Sequence, residues 1–338
     1  MNQNHSISEL GELKLIEIIE ELVFNKLGKK LIKDDSFFFK LDKFEDQKMI
    51  IFNSDMLVSS SDVPIQMSFY QIGRKAVIMN ISDLLIKAVK PKGIIVSLGL
   101  PNDLKVLFFK DILLGIIDQC DRFNLNYIGG DLNKTRETII NPTVFGFKDP
   151  SKILYRTGIK EGEILISNNK FGLTGVGFDI LVNKNGNPKD YPKYEKSIKS
   201  VLLPEVFGEE AHILAENNLA SASIDSSDGL FKSLGDLMLS NPHIGFEIDL
   251  NENIIDQEAI SYSEEFNIPI EKLVFEGGEE FIHLFTINPQ NLRLITSLLK
   301  EKEGKIFKMG RVISEKKVNI IKDGVKFELQ GHGYEHFR

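Results

Sequence analysis

Ile72-Gly-Arg-Lys-Ala-Val-Ile-Met-Asn-Ile-Ser-Asp-Leu-Leu-Ile-Lys-Ala-Val89 runs into Lys90-Pro91 and then into Ile94-Ile-Val-Ser-Leu98. The first stretch reads as a largely apolar helix. The Lys90-Pro91 step closes it, because the residue before a proline is pushed away from helical angles. The apolar run after it reads as a strand. Working outward, Leu104 to Phe123 reads as a second helix, and Tyr127-Ile128 and Ile139 to Phe147 as further strands. Upstream, Met49-Ile-Ile-Phe-Asn53 reads as a strand. Residues 9–27 carry Leu13, Ile16, Ile19, Leu22, Val23 and Leu27 at helical spacing, and Gly28 ends that helix. Strands alternating with helices indicate an α/β (α+β) fold.

Asp149-Pro150-Ser151 reads as a connector, with glycines at Gly158 and Gly162 beyond it. The boundary falls near 150, giving domains 1–150 and 151–338. The alternation resumes in the second half. Helices are expected at 173–183, 205–217, 228–240, 254–265 and 289–302, and strands at 245–249, 282–287, 306–313 and 318–322.

The 338 residues are 42% hydrophobic and 27% charged, enough for a sizeable core, with a formal net charge of −8. Neither a basic patch nor a basic overall balance is visible, which argues against nucleic acid as a partner. One cysteine, Cys120, excludes an internal disulfide and a cysteine-rich metal site. It reads as a small buried apolar residue. The start Met1-Asn-Gln-Asn-His-Ser6 shows no secretory pattern, and runs such as Gly93 to Leu98 are too short to span a bilayer. A cytoplasmic location without membrane contact is the expectation.

The aspartates fall at turns and element ends. Asp34-Asp35 follow a short apolar-basic stretch, and Asn53-Ser54-Asp55 closes a strand. Asp83 interrupts an apolar helix together with Asn80 and Ser82, and Gly129-Gly130-Asp131 follows a strand. Asp225-Ser-Ser-Asp228-Gly229 opens a helix, and Gly277-Gly278-Glu279-Glu280 precedes a strand. Each has an ordinary explanation: a solvated turn, a turn cap, or a helix cap for Asp228. Asp83 is hardest to dismiss, since a buried carboxylate requires a partner. If these acids converge they repel, at roughly 1–4 kcal/mol for two charges about 4 Å apart. Magnesium suits such a cluster, because it takes oxygen ligands and bridges one or two carboxylates to substrate phosphates. Glycines beside the acids and helix N-termini suit phosphate.

A G-x-x-x-x-G-K-[ST] loop and an H-E-x-x-H pair are missing from the sequence. Gly172-Leu-Thr-Gly175-Val-Gly177 has the wrong order for a dinucleotide fingerprint, and serves either close helix packing or nucleotide contact.

From Ile32 to the end, the order of these motifs resembles the thiamine-monophosphate kinase family. That family shares a superfamily with aminoimidazole ribonucleotide synthetase and selenophosphate synthetase. The resemblance is carried by Asp34-Asp35, Asn53 to Val58, Gly73-Arg-Lys-Ala76 with Asn80-Ile-Ser-Asp83, and Ser97-Leu-Gly-Leu-Pro101. It continues through Ile128-Gly-Gly-Asp131, Arg156-Thr-Gly158, Asp225 to Leu230, Gly277-Gly-Glu279 and Gly333-Tyr-Glu-His-Phe337. Ser97 to Pro101 and Gly172 to Gly177 look more like the archaeal branch.

The resemblance implies a two-domain fold like that of aminoimidazole ribonucleotide synthetase. The N-terminal domain would carry the metal- and phosphate-binding acids and form a homodimer through its sheet. The C-terminal domain would close the nucleotide and substrate cleft. Magnesium is implied at Asp35, Ser54, Asp55, Asp83, Asp131, Asp225 and Asp228. Asp83 and Asp131 would act through the metal, with no residue serving as nucleophile or base. ATP is implied near Gly130, Arg156 and Ser227, and thiamine monophosphate near Asp62, Glu279 and Tyr334.

The sequence departs from the family pattern at Lys33, where glycine is usual, and at Asp62, which aligns with a frequent histidine. Leu173, Glu280 and Phe281 also depart from it. These changes leave the metal acids intact and bear on the phosphate acceptor. The implied reaction is direct in-line transfer of phosphate from ATP to thiamine monophosphate. The alternatives are a relative with another phosphate acceptor and a non-catalytic nucleotide-binding relative. Selenophosphate synthetase usually has an active-site cysteine or selenocysteine near its N-terminus, and Cys120 lies far from Asp34.

Overall fold

A computed structural model describes residues 10, 12–30, 49–302 and 304–330. The chain divides into two compact units. One holds residues 1–84 and 89–150, and the other residues 85–88 and 151–338.

In the first unit α1 (Glu12–Leu27) precedes β1 (Met49–Asn53), β2 (Leu57–Val58) and the short α2 (Ser59–Asp62). Then come α3 (Phe69–Ile86), β3 (Pro91–Leu100), α4 (Val106–Arg122), β4 (Asn126–Lys134) and β5 (Ile139–Lys148). The last two residues of α3, Leu85 and Ile86, count with the second unit. The five strands form one sheet in the order β1-β5-β3-β4, with β2 also on β5. Only β3 and β4 pair in parallel; the other pairs are antiparallel.

Successive side chains of a strand point to opposite faces, and the two faces of this sheet differ. Val96, Leu98, Ile140 and Val144 are buried. Ser97, Asn141 and Thr143, one position out of phase, are half-buried. On the more open face Phe52 is 62% and Ile50 42% exposed. The Phe52 ring lies 5.8 Å from that of Phe145, which in turn meets Phe147 edge-on at 6.0 Å.

The second unit contains β6 (Ile164–Ser167), α5 (Leu173–Phe178), α6 (Glu195–Leu202), α7 (Glu209–Glu216), β7 (Ala220–Ser226) and α8 (Leu230–Ser240). It continues with β8 (Gly245–Asp249), α9 (Gln257–Phe266), α10 (Ile270–Phe275) and β9 (Ile282–Ile287). It ends with α11 (Leu292–Lys300), β10 (Phe307–Ile313), β11 (Val318–Lys322) and β12 (Val325–Glu328). A seven-stranded sheet runs β12-β11-β8-β10-β6-β9-β7. Ile164 and Ile166 of β6, Phe285 and Ile287 of β9, and Leu214 and Ile295 of the helices share a buried core with Ile86 and Ala88.

The α/β reading holds, with particular differences. Strand β4 does not stop at Ile128. It carries Gly129-Gly130-Asp131 within it and slips register at Ile128 against Ile94/Ile95. A Cβ at Gly130 would stand 1.7 Å from the Val96 carbonyl oxygen, so the parallel pairing there requires glycine. Strands β6 and β7 and helices α6 and α10 are elements that hydrophobic period alone does not announce. β6 has four residues, all buried, so nothing alternates along it. Helix 173–183 is α only to Phe178 and turns to π geometry over Asp179–Asn183.

Candidate active site

In the first unit, α3 and the end of β1 form one polar junction. Asn80 and Asp83 lie three residues apart on α3 and so share a helix face. The Asn80 side chain clamps the backbone of Asp55. Its Oδ1 accepts from Asp55 N at 2.7 Å, and its Nδ2 donates to Asp55 O at 3.0 Å. Both main-chain groups of Asp55 are thereby occupied, and its carboxylate stays out of the pairing. One turn further along, Asp83 Oδ2 accepts from Asn53 Nδ2 at 2.9 Å.

Ser54, between them, points the other way, toward β5. Its hydroxyl donates to Pro142 O at 3.1 Å and lies 2.9 Å from Thr143 Oγ1 and 3.3 Å from Asn141 Oδ1. Asn141 is in register with Ser97, and Ser97 with Asp131. Strands are about 4.8 Å apart, so this polar row sets Asp131 about 10 Å from Asn141. Asp55 and Asp83 are therefore joined through Asn53 and Asn80, while Ser54 and Asp131 stand at two ends of one row. Asp62 lies at the end of α2, with Oδ2 accepting from Val58 N at 2.6 Å. Its carbonyl accepts from the fully buried Lys75.

In the second unit β7 delivers Asp225, only 4% exposed, into the turn Ser226–Gly229. The N-cap position of the next helix is held by Gly229, at φ 97°, one residue beyond Asp228. Ser227 is exposed in the turn. Its carbonyl accepts from Glu279 N, and that of Ser226 accepts from Phe281 N at 2.9 Å. The two motifs are thus laced together by backbone. Arg156 is about half exposed, with Nη1 4.0 Å from Asp236 Oδ2, a loose pair that leaves most of its fork available.

Glu280, next to Glu279, behaves unlike a surface acid. Its Oε1 accepts from Gly172 N at 2.7 Å and Thr174 N at 3.4 Å, while Oε2 is shut off from solvent without a hydrogen-bond partner. Burial pushes its pKa from 4.5 up to about 8, against the opposing pull of those N–H donors. Between these two values the folded protein holds a proton that the unfolded chain has released. Stability therefore falls as pH rises from about 4.5 to 8 and levels off above. Glu280→Gln removes that titration. Thermal melts of wild type and variant are expected to diverge across this window, with the wild type losing more, by an amount on the order of a few kcal/mol. Parallel melting curves from pH 5 to 9 would refute the assignment.

Asp35 and Tyr334, with the Lys33 departure and the Gly333–Phe337 ending, lie outside the described residues. Among the described residues no group of three or more His, Cys, Asp or Glu side chains is placed to hold a metal ion by itself. The donors present are carboxylates, a serine hydroxyl and amide oxygens, the hard oxygen chemistry that magnesium takes. Magnesium keeps several waters and leans on substrate phosphates, so a closed protein cage is not required for a fit. Sequence reasoning passes over Asn53 as a ligand of Asp83, and over Asn141 and Thr143. Their signal, a polar residue at alternate positions of an otherwise apolar strand, is present but common.

A sheet-and-helix unit with acids at its strand ends defines a class. Residues 33–147 match the family model described as AIR synthase related protein, N-terminal domain. The likeness also extends over the whole chain. The thiamine-monophosphate kinase of Nitrosopumilus maritimus is 30% identical over 335 residues, 98% of this chain and 100% of the relative. That of Methanocaldococcus jannaschii is 29% identical, covering 97% and 99%. This chain belongs to the thiamine-monophosphate kinase family.

Solved structures show the same fold. A protein described as AaThiL complexed with AMPPCP and TMP superposes at TM-score 0.73, with 24% identity over 97% of this chain and 98% of that one. The hydrogenase maturation protein HypE of E. coli superposes at 0.76, with 15% identity over 96% and 99%. A fold shared between kinase and maturation protein does not choose the substrate; the family does.

Proposed function

We propose that this chain transfers the γ-phosphate of ATP directly to the terminal phosphate oxygen of thiamine monophosphate, giving thiamine diphosphate and ADP. The observation that carries this reading is family membership along the full length of both chains. The same fold in a protein described with AMPPCP and TMP supports it.

The bond from the γ-phosphorus to the bridging oxygen breaks as the bond to the acceptor oxygen forms. The acceptor is already ionised near neutral pH, since a second phosphate pKa is about 6, so no residue has to remove a proton. The chain's task is to position two polyanions and offset their charge. In the first unit Asp55, Asp83 and Asp131, with Ser54 and with Asp35, and in the second unit Asp225 and Asp228, are the residues that would hold magnesium. Bound there, magnesium supplies charge neutralisation and a template for the phosphates.

Arg156 offers a planar fork to phosphate, and Gly130 and Ser227 present exposed surface beside the acids for the nucleotide. Glu279, aimed by its backbone bond to Ser227, is assigned to the thiamine part, with Asp62 and Tyr334.

The exposed apolar strip of Ile50 and Phe52 supports a homodimer through the first unit's sheet. No described helix is long and apolar enough to cross a membrane, and we place the enzyme in the cytoplasm.

The test is conversion of thiamine monophosphate with ATP and magnesium, followed by chromatography of thiamine diphosphate. Product that disappears with chelator is expected. ATP bound without product would redirect the search to another phosphate acceptor.

A further inference from the structure

Three loops of the second unit meet at one side chain that the reaction above does not use. The turn Gly277–Phe281 has two non-glycine residues in left-handed geometry, Glu279 at φ 59° and Phe281 at φ 49°. Such residues are strained and persist only where the surroundings over-determine them. Two of the constraints are backbone bonds, Glu279 N to Ser227 O and Phe281 N to Ser226 O. They fasten the turn to the loop that follows β7. The third is the side chain between them, through Glu280 Oε1 and the amides of Gly172 and Thr174.

The close packing here is of backbone. A Cβ at Gly277 would stand 2.8 Å from Gly175 N, and one at Gly175 would stand 2.2 Å from Leu273 O. Gly277 and Gly175 thus hold backbone against backbone, and Glu280 adds a side-chain tie between the same segments.

We propose that Glu280 is a positioning residue for thiamine monophosphate. Its side chain latches the Gly277–Phe281 turn to the Gly172–Thr174 loop and so fixes the direction of Glu279. The proposal rests on the assignment of Glu279 to the substrate. Its surroundings suit a latch that carries no charge. Residues Leu173–Phe178 of α5 bring backbone amides and Thr174, with no titratable side chain. The N-cap of α9 brings Asp256, whose charge disfavours ionisation of Glu280. The neighbouring acids are Glu279 on its own turn, Asp225 near the end of β7 and Asp228 on the loop after it. A neutral carboxyl avoids adding another negative charge to that set.

The experiment compares Glu280→Asp and Glu280→Gln with the wild type. Aspartate is shorter by one methylene and cannot span to Gly172 N; glutamine keeps the acceptor and the length. Hydrogen exchange is read at the amides of Gly172, Glu279 and Phe281, together with KM and kcat for each substrate. Glu280→Asp is expected to speed exchange at all three amides and to raise KM for thiamine monophosphate about 10-fold. Its kcat is expected to stay within about 3-fold, and its KM for ATP within about 2-fold. Glu280→Gln restores both readouts.

Unchanged exchange in Glu280→Asp overturns the latch, whatever the activity. Faster exchange with unchanged KM, or equal loss toward both substrates, overturns the positioning role. A wild type that makes no thiamine diphosphate overturns the proposed function instead, while exchange still decides whether the latch exists.

Discussion

Asp83→Asn is expected to lower kcat on the order of 100-fold or more, the scale on which preorganised electrostatic groups act in transition states, while the protein melts within about 2 °C of the wild type. The two halves of this expectation come from one hydrogen bond. Asp83 Oδ2 accepts from Asn53 Nδ2 at 2.9 Å. An asparagine at 83 can still turn its carbonyl oxygen to Asn53, so the junction between α3 and β1 survives. The negative charge does not survive, and under the proposed function that charge is what Asp83 would contribute to holding magnesium. Asp131→Asn should act in the same direction, since Asp131 is exposed on β4 and is assigned to magnesium under the proposed function.

Asp118→Asn is the contrast. Asp118 accepts from Tyr70 Oη at 2.7 Å and pairs with Lys26 at 2.7 Å, so its loss touches packing of α1 and α3 on α4 and leaves turnover alone. Steady-state kinetics with melting curves on the three variants separate the cases. Near-normal turnover in both Asp83→Asn and Asp131→Asn would sink the acid-cluster model.

The legible parts of this molecule are those in which period and punctuation agree. Helix α3 is visible because an apolar stripe ends at Lys90-Pro91, and the observed helix stops at Ile86, a few residues short of that signal. The polar residues that break its stripe are visible for the same reason: Asn80 is buried and Asp83 half-buried, and an amide or carboxylate removed from water is costly unless partnered. What escapes is pairing at a distance. Asn53 meets Asp83 and Ser54 meets Thr143 only because β1 pairs with β5 in a register set by the whole sheet, Asn53 opposite Val144. Nothing local in Met49–Asn53 specifies that partner.

Strand β4 escapes for a different reason. Gly129-Gly130 has turn composition, yet the close approach of Val96 makes glycine a requirement inside the strand. The same residue type signals a turn or a tight pairing, and only the neighbour decides. Asp228 shows the reverse case. A helix cap is the natural local reading, and the left-handed Gly229 takes the position that a cap would have used.

Gly115→Ala is expected to lower stability by about 2–3 kcal/mol, at the upper side of what overpacking costs. In a protein of 338 residues that lowers the melting temperature by about 3–4 °C. Helices α3 and α4 cross with backbone against backbone. A Cβ at Gly115 would lie 2.1 Å from the Tyr70 carbonyl oxygen and 2.8 Å from Arg74 N. From the other side, a Cβ at Gly73 would lie 2.1 Å from the Ile112 carbonyl oxygen. A carbonyl within a helix cannot rotate away as a side-chain tip can, so the helices must part.

Alanine gains about 1 kcal/mol over glycine in a helix interior, and the expected net loss already includes that gain. Gly235→Ala isolates it. Gly235 lies within α8 with nothing within 4 Å of the added methyl, so this variant should be stabilised by up to about 1 kcal/mol. Parting α3 from α4 also moves Asn80 and Asp83 against the end of β1. Gly115→Ala should therefore lose turnover although it lies outside the site, and Gly73→Ala should match it. An unchanged melting temperature in both variants would mean that the helices slide apart at little cost and that the glycine contact does not hold α3 in place.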